Sequence, residues 1–145
     1  MRKYRCKSFD ELTNWELYNI LKARSEIFMM EQDIHYLDMD DVDYDALHVF
    51  SVQDGRVTSY LRMYHLAGDE MTFQIGRVLT RKRGRGEGAG LIAEAEENAR
   101  KAGAAKLTCD AQVQSRGFYE RVGFQVVSSE FIEAGIPHIK MEKAL

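Results

Sequence analysis

Three strand-length runs follow one another between residues 48 and 80: HVFSVQ, RVTSYLRMYHL and MTFQIGRVLT. Each is rich in β-branched and aromatic residues, which suit a pleated, packed surface. Asp54-Gly55 divides the first two, and this dipeptide accepts the positive φ angles of a two-residue hairpin turn. AGDE (67–70) turns the chain before the third. Any fold of this chain is therefore built around an antiparallel meander. Gly76, inside the third run, points to a bulge.

Helical patterns flank the meander. YRCKSF (4–9) reads as a first strand. TNWE (13–16) then fits a capping box, with Thr13 bonding the free helix amides and Glu16 reaching back. The helix it starts runs to about Met30, with an apolar stripe of Leu17, Ile20, Leu21, Ile27 and Phe28. Arg24 falls in the same stripe, so it either forms a structural ion pair or lines a polar cleft that meets substrate. A second helix spans about Glu87 to Ala102. Ile92, Ala95, Ala99 and Ala102 give it a small-residue face, and the pairs Glu96–Arg100 and Glu97–Lys101 belong to its wet side. Gly103 stops it. AKLTCDA (105–111) is the next strand, parallel to the strand before the helix if the crossover is right-handed. SRGFYERV (115–122) is a short helix ended by Gly123, and FQVV and HIKMEK are closing strands. The expected fold is α+β, with a mixed, mostly antiparallel sheet of about six to seven strands flanked by helices.

The chain has 145 residues, 45% apolar and 30% charged, which fits one globular domain over 1–145. A net charge of −3 gives no global case for nucleic acid. No apolar run approaches the roughly 18 residues of a membrane helix, and MRKYRCKSF has no apolar core of a secretion signal. Cys6 and Cys109, without metal-type spacing, read as reduced thiols of a cytoplasmic protein. The sequence leaves monomer and homodimer open.

Residues 81–90, RKRGRGEGAG, hold four glycines and four basic residues between the third long strand and the second helix. The string lacks the Lys-Ser/Thr of a P-loop. Gly84-x-Gly86-x-x-Ala89 matches a dinucleotide fingerprint, with Asp110 near the ribose-binding position. Against it, Arg81, Lys82 and Arg83 intervene between strand and helix, and only 35 residues follow Asp110, too few to complete a doubly wound sheet. The third template is R-x-x-G-x-G. Missing side chains let an anionic pyrophosphate approach the backbone N–H groups, and the helix N-terminus adds a positive field. On these residues alone a solvated basic loop is an equal alternative.

GFYERVGF (117–124) lies about thirty residues downstream. Together with VLTRKRGRGEG it resembles the GNAT superfamily of acyl-CoA-dependent N-acyltransferases. That family's pattern V-x-P-x-x-R-G-x-G-x-G is followed by (F)Y-x-x-x-GF. Here Val78, Thr80, Arg83, Gly86 and Gly88 take the first pattern, with Thr80 where proline is usual, and Phe118, Tyr119, Gly123 and Phe124 take the second. WELYNILKARSEIFMMEQ, YLDMDDVD, IGRVL and GIPHIKM further resemble the ElaA-like branch, so the likeness runs from Trp15 to Met141.

The resemblance implies direct attack of an amine on acetyl-CoA, bound where the sheet splays between two parallel strands. Main-chain groups of Val78 and Thr80 would meet the acetyl oxygen and the pantetheine arm. Arg83, Gly84, Arg85, Gly86, Gly88 and Ala89 would hold the pyrophosphate, with Lys82 on an outer phosphate, Phe118 beside the cofactor, and Gln112 where many relatives carry a cofactor-binding Asn. Tyr119 would protonate the departing thiolate, since a phenol near pKa 10 suits a leaving thiol; the bland alternative is a helix-capping tyrosine. Glu31 is the first candidate for the base, His138 the second, and a water relay the third. No metal is implied.

Residues 31–45 hold seven carboxylates and no Lys or Arg. They form either a solvated acidic loop or a field that draws a small cationic amine. Asp41, Asp43 and Asp45 fit calcium-loop positions, but Ala46 and Val52 replace the required Gly and Glu. His48 is expected to open a strand rather than bind metal. The resemblance implies a small-molecule or peptide amine as the acceptor. The alternatives are a non-catalytic acyl-CoA-sensing module, then a nicotinamide oxidoreductase. A nucleic-acid role for 81–85 has no aromatic stack beside it.

Overall fold

The computed structural model describes residues 4–34, 36–81 and 86–145. Lys82, Arg83, Gly84 and Arg85, named above for phosphate binding, lie outside the described residues. The strands are β1 (Tyr4–Ser8), β2 (Leu47–Gln53), β3 (Arg56–Leu66), β4 (Asp69–Thr80), β5 (Lys106–Gln112), β6 (Gln125–Val126), β7 (Phe131–Glu133) and β8 (Ile136–Ala144). The helices are α1 (Asn14–Arg24), α2 (Glu87–Lys101) and α3 (Arg116–Arg121). One mixed sheet runs β1-β2-β3-β4-β5-β8, with β6 and β7 both on the far edge of β8. It has eight strands rather than six or seven. The extra one, β7, is three residues long and joined to β8 by Ala134 and Gly135, both at positive φ. So short a strand leaves almost no periodic signal.

The meander forms as its residues dictate. Asp54 (φ +50°) and Gly55 (φ +72°) make the tight turn between β2 and β3. Alternation then sends Val49 and Leu61 to one face and Phe50 and Tyr60 to the other. Both faces are covered. On one side α2 contributes Leu91, Ile92, Ala95 and Ala99, and α3 contributes Tyr119 with Phe124 just beyond it. On the other, Ile20 and Ala23 of α1, with Ile27 and Phe28, pack on Phe50, Val57, Tyr60 and Leu79. Leu17 and Leu21 are only half-buried, Ala102 is exposed, and Glu96 is not on the wet face. It is buried and takes the Lys143 ammonium at 2.6 Å. Glu97–Lys101 does form the expected exposed pair, at 3.7 Å.

The Thr13 capping box is present: the Glu16 amide donates to Thr13 Oγ1 at 3.0 Å, and the Thr13 amide donates to Glu16 Oε1 at 2.9 Å. Glu16 also receives Arg5 and Lys7 of β1, each at 2.9 Å, which fastens the helix start to the sheet. Burial alone would raise this carboxyl, but the Thr13 amide and the two cations outweigh it and hold it at about 2. Regular helix ends at Arg24. Residues Ser25–Glu31 continue in wider π turns, closed by the Gln32 amide on Ile27 O at 3.1 Å.

Two departures from regularity open the sheet. β4 and β5, the parallel pair, are bonded only from Thr72–Lys106 to Ile75–Cys109. Beyond that point β4 runs on to Thr80 and β5 to Gln112 without pairing to one another. The bulge expected from Gly76 is there, but one residue on. Tyr60 faces Leu79 and Arg62 faces Gly76, so Leu61 stands opposite both Arg77 and Val78. Arg77, not Gly76, has the left-handed backbone, at φ +52°. A side chain in that region costs on the order of 1–2 kcal/mol.

Candidate active site

Two clefts flank the splay. The larger, about 790 Å³, is lined by Val78 and Thr80 of β4, by Gly86, Gly88 and Ala89 at the start of α2, by Phe118 and Tyr119 of α3, and by Glu31. The second, about 560 Å³, is lined by Gln112 of β5, His138 of β8, Arg62, Arg77, Tyr36 and Tyr64, among others. Val78, Tyr119, Gln32 and Ser115 line both, so the clefts meet at these residues. Gln112 and His138 are thus on the second cleft and not with the glycines. The Gln112 amide nitrogen donates to Gln32 Oε1 at 3.2 Å.

α2 starts at Gly86 (φ +71°), whose conformation any side chain would strain. Gly88 is tight for a different reason. A Cβ there would lie 2.9 Å from Phe118 Cε1 and 3.0 Å from Cζ. The two sequence motifs are therefore packed directly on one another, with the Phe118 ring against the first turn of α2.

Tyr119 is buried, edge-on to Phe118 (5.1 Å) and Phe124 (5.5 Å). Burial pushes its phenol far above the usual value, and the neighbouring Cys109 adds to this. The group is therefore protonated at any physiological pH, and it is a weaker acid than its ordinary pKa implies. Among the described residues none is hydrogen-bonded to its hydroxyl, unlike a tyrosine that caps a helix. Cys109 is itself pushed up to about 12 by burial, then by Asp110, so its thiol is inert.

His138 is buried, and its ring nitrogens are distinguishable. Nδ1 lies 2.7 Å from Ile136 O, and a carbonyl only accepts, so Nδ1 carries the proton. Nε2 then has the free lone pair, with the Glu133 carboxylate 3.6 Å away. Glu31 is exposed on the rim of the larger cleft.

The acidic segment is not simply solvated. Asp38 takes Arg24 Nε at 3.0 Å and Arg77 Nε at 2.9 Å; Asp40 takes Arg62 at 2.7 Å; Asp43 takes Arg24 at 2.8 Å and Arg62 at 3.1 Å. Three of its seven carboxylates are thus neutralised by arginines from α1, β3 and β4. Arg24 is fully buried in this network, which answers its position on an apolar stripe. The Asp43 pairing also removes it from any calcium set. His48 sits in β2, and its Nε2–H donates to Asp43 O at 2.9 Å while Nδ1 accepts from Tyr60 at 2.7 Å. Arg62 and Arg77 were not singled out from sequence, although a run of unpaired carboxylates was itself a signal that arginines elsewhere face it.

The model of the Acetyltransferase (GNAT) domain matches residues 25–145. The chain belongs to the GNAT acetyltransferase family. A UPF0039 protein of Mycobacterium bovis is 36% identical over 132 residues, 86% of this chain and 82% of that protein. Protein ElaA of Escherichia coli is 31% identical over 138 residues, 92% of this chain and 90% of its own. Its crystal structure superposes with a TM-score of 0.90 over 99% of each chain. An acyl-CoA N-acyltransferase from Pseudomonas aeruginosa, 34% identical, superposes at 0.89 over 99% of this chain and 100% of that one. The GNAT family and the ElaA-like branch expected from the motifs are therefore correct, as is the α+β fold with its splayed parallel pair. No helix of the described residues is long and apolar enough to cross a membrane.

Proposed function

We propose that the protein moves an acetyl group from acetyl-CoA to the primary amine of a small cationic acceptor, with both substrates bound at once. The observation that carries this reading is the junction of two clefts at Val78 and Tyr119. Acetyl-CoA, when bound, supplies an acetyl group activated as a thioester. The larger cleft fits such a group in size and in chemistry. Backbone at Gly86, Gly88 and Ala89 faces it from the start of α2, where amide N–H groups and the helix field favour phosphate. Arg83, Gly84 and Arg85 would extend this cradle, with Lys82 on an outer phosphate.

Val78 and Thr80 lie where β4 is released from β5, so main-chain groups there are available to the acyl oxygen and the pantetheine arm. One amide aimed at an oxyanion is worth about 3 kcal/mol. The Tyr119 hydroxyl, kept protonated by burial, serves as the proton donor to the departing thiolate. His138 fits the base better than Glu31, because it lines the second cleft, read here as the acceptor side, whereas Glu31 lines only the larger one, and because Glu133 lies 3.6 Å from its Nε2. Glu133 would hold the resulting imidazolium. Gln112 then serves the acceptor side as much as the cofactor. The acidic segment supports a cationic acceptor less than its composition implies, since Asp38, Asp40 and Asp43 are paired, as is Asp110 with Lys140 at 2.9 Å; Glu31 and Glu133 on the cleft walls carry that preference.

The test is release of free CoA thiol from acetyl-CoA across a panel of amines, amino acids and peptides. Turnover with small diamines ahead of neutral or acidic amines is expected. A blank panel alongside tight acetyl-CoA binding would instead indicate a module that senses the acyl donor.

A further inference from the structure

The bulge in β4 is unusual in its residue. A glycine accepts left-handed backbone without strain, yet Gly76 has an ordinary φ and Arg77 takes the positive angle. Among the described residues, the Arg77 guanidinium is tied on one side only, to the loop after α1. Its Nε donates to Asp38 Oδ1 at 2.9 Å, and Nη2 donates to Asp38 O at 3.0 Å and to Asp40 Oδ2 at 3.4 Å. The cation also lies 4.4 Å over the Tyr36 ring. Arg24 and Arg62 hold the same Asp38 and Asp40 from α1 and β3, so the loop that anchors Arg77 is itself fixed. The next residue is Val78, which lines both clefts.

We propose that Arg77 is a positioning residue for the acyl transfer: its bonds to Asp38 and Asp40 hold the left-handed bulge, and so hold the main chain of Val78 at the junction of the clefts. The proposal rests on reading Val78 as an acyl-binding position. It differs from a purely structural ion pair in what it predicts. A structural pair lowers the folded fraction and leaves the rate of each folded molecule intact. A positioning clamp lowers kcat in folded protein, because small displacements at a reacting centre are costly in rate.

The test uses Arg77→Ala, Arg77→Gly and Asp38→Asn in the full chain, with Arg56→Ala, an exposed residue outside the clefts, as control. At saturating acetyl-CoA, kcat per folded molecule is expected to fall about tenfold or more in all three, with KM for acetyl-CoA within about threefold. The Val78 amide resonance and its hydrogen exchange are expected to change in the same three and not in the control. Full activity in Arg77→Gly would overturn the proposal, since the side chain would then be dispensable. An unmoved Val78 amide in Arg77→Ala would overturn it too. Should Arg77→Ala not fold, Arg77→Lys keeps the charge without the planar fork and is read in the same way. If the wild-type protein transfers no acetyl group, the functional reading fails, and the Val78 amide alone decides the clamp.

Discussion

Replacing Tyr119 by Phe removes one oxygen and leaves the ring. The ring is 7% exposed and packs edge-on to Phe118 and Phe124, and those contacts survive. Among the described residues the hydroxyl has no hydrogen-bond partner, so its loss strands no buried group. The expected change in stability is within about 0.5 kcal/mol, or roughly 2 °C in Tm for a chain of this size. The rate is a separate matter. A positioned general acid contributes about 100-fold or more, which at about 1.36 kcal/mol per tenfold is close to 2.7 kcal/mol of barrier. The loss belongs in kcat, because the phenol acts on sulfur only as charge develops there, and KM for acetyl-CoA stays within about twofold. Thiol release with a competent amine, run beside thermal unfolding, reads both numbers. Burial raises the phenol, so the wild-type rate shows no alkaline fall from Tyr119 up to about pH 10. A kcat within threefold of wild type refutes the general-acid role, and a Tm lower by more than 5 °C refutes the packing argument.

Other perturbations separate the remaining parts. Asp43→Ala leaves two buried guanidinium groups each short of one partner. Breaking a buried pair costs about 3–5 kcal/mol, and because Arg24 and Arg62 keep Asp38 and Asp40, about 3 kcal/mol is expected by urea unfolding; a cost under 1 kcal/mol would mean the network is solvated. His138→Ala is expected to lower kcat/KM about 100-fold with Glu31→Gln nearly silent, and the reverse order would make Glu31 the base. Gly88→Ala drives a methyl into the Phe118 ring, so calorimetry should show weakened acetyl-CoA binding, and unchanged affinity would deny the cradle its tight packing. Stability should fall in acid in two stages. Burial holds His48 neutral in the fold, so the unfolded chain alone gains its proton as pH drops below about 6.5. Glu16 and Asp40, at about 2 in the fold, contribute stability that is present above about pH 4 and lost as pH falls toward 2. A urea midpoint flat from pH 7 to 3 would contradict both.

The features legible in the sequence are those set by neighbours along the chain. Asp54-Gly55 fixed the hairpin, Thr13 and Glu16 the start of α1, and the spacing of the glycine loop and GFYERVGF the family, because turn chemistry, caps and motif spacing are local. Gly76 announced a bulge, but which residue takes the positive φ depends on what holds its side chain, and that is the distant pair Asp38 and Asp40. Likewise, the acidic run looked solvated because its partners Arg24, Arg62 and Arg77 lie on three other elements. Glu96 left the wet face because Lys143 approaches from β8. Tyr119 was legible in the sequence as a candidate proton donor, but its burial, and with it the raised phenol, came from Phe118, Phe124 and the sheet. Charges separated in sequence are cancelled or left bare only once the strands bring them within bonding distance, and so which charges face the two clefts was decided by the tertiary structure.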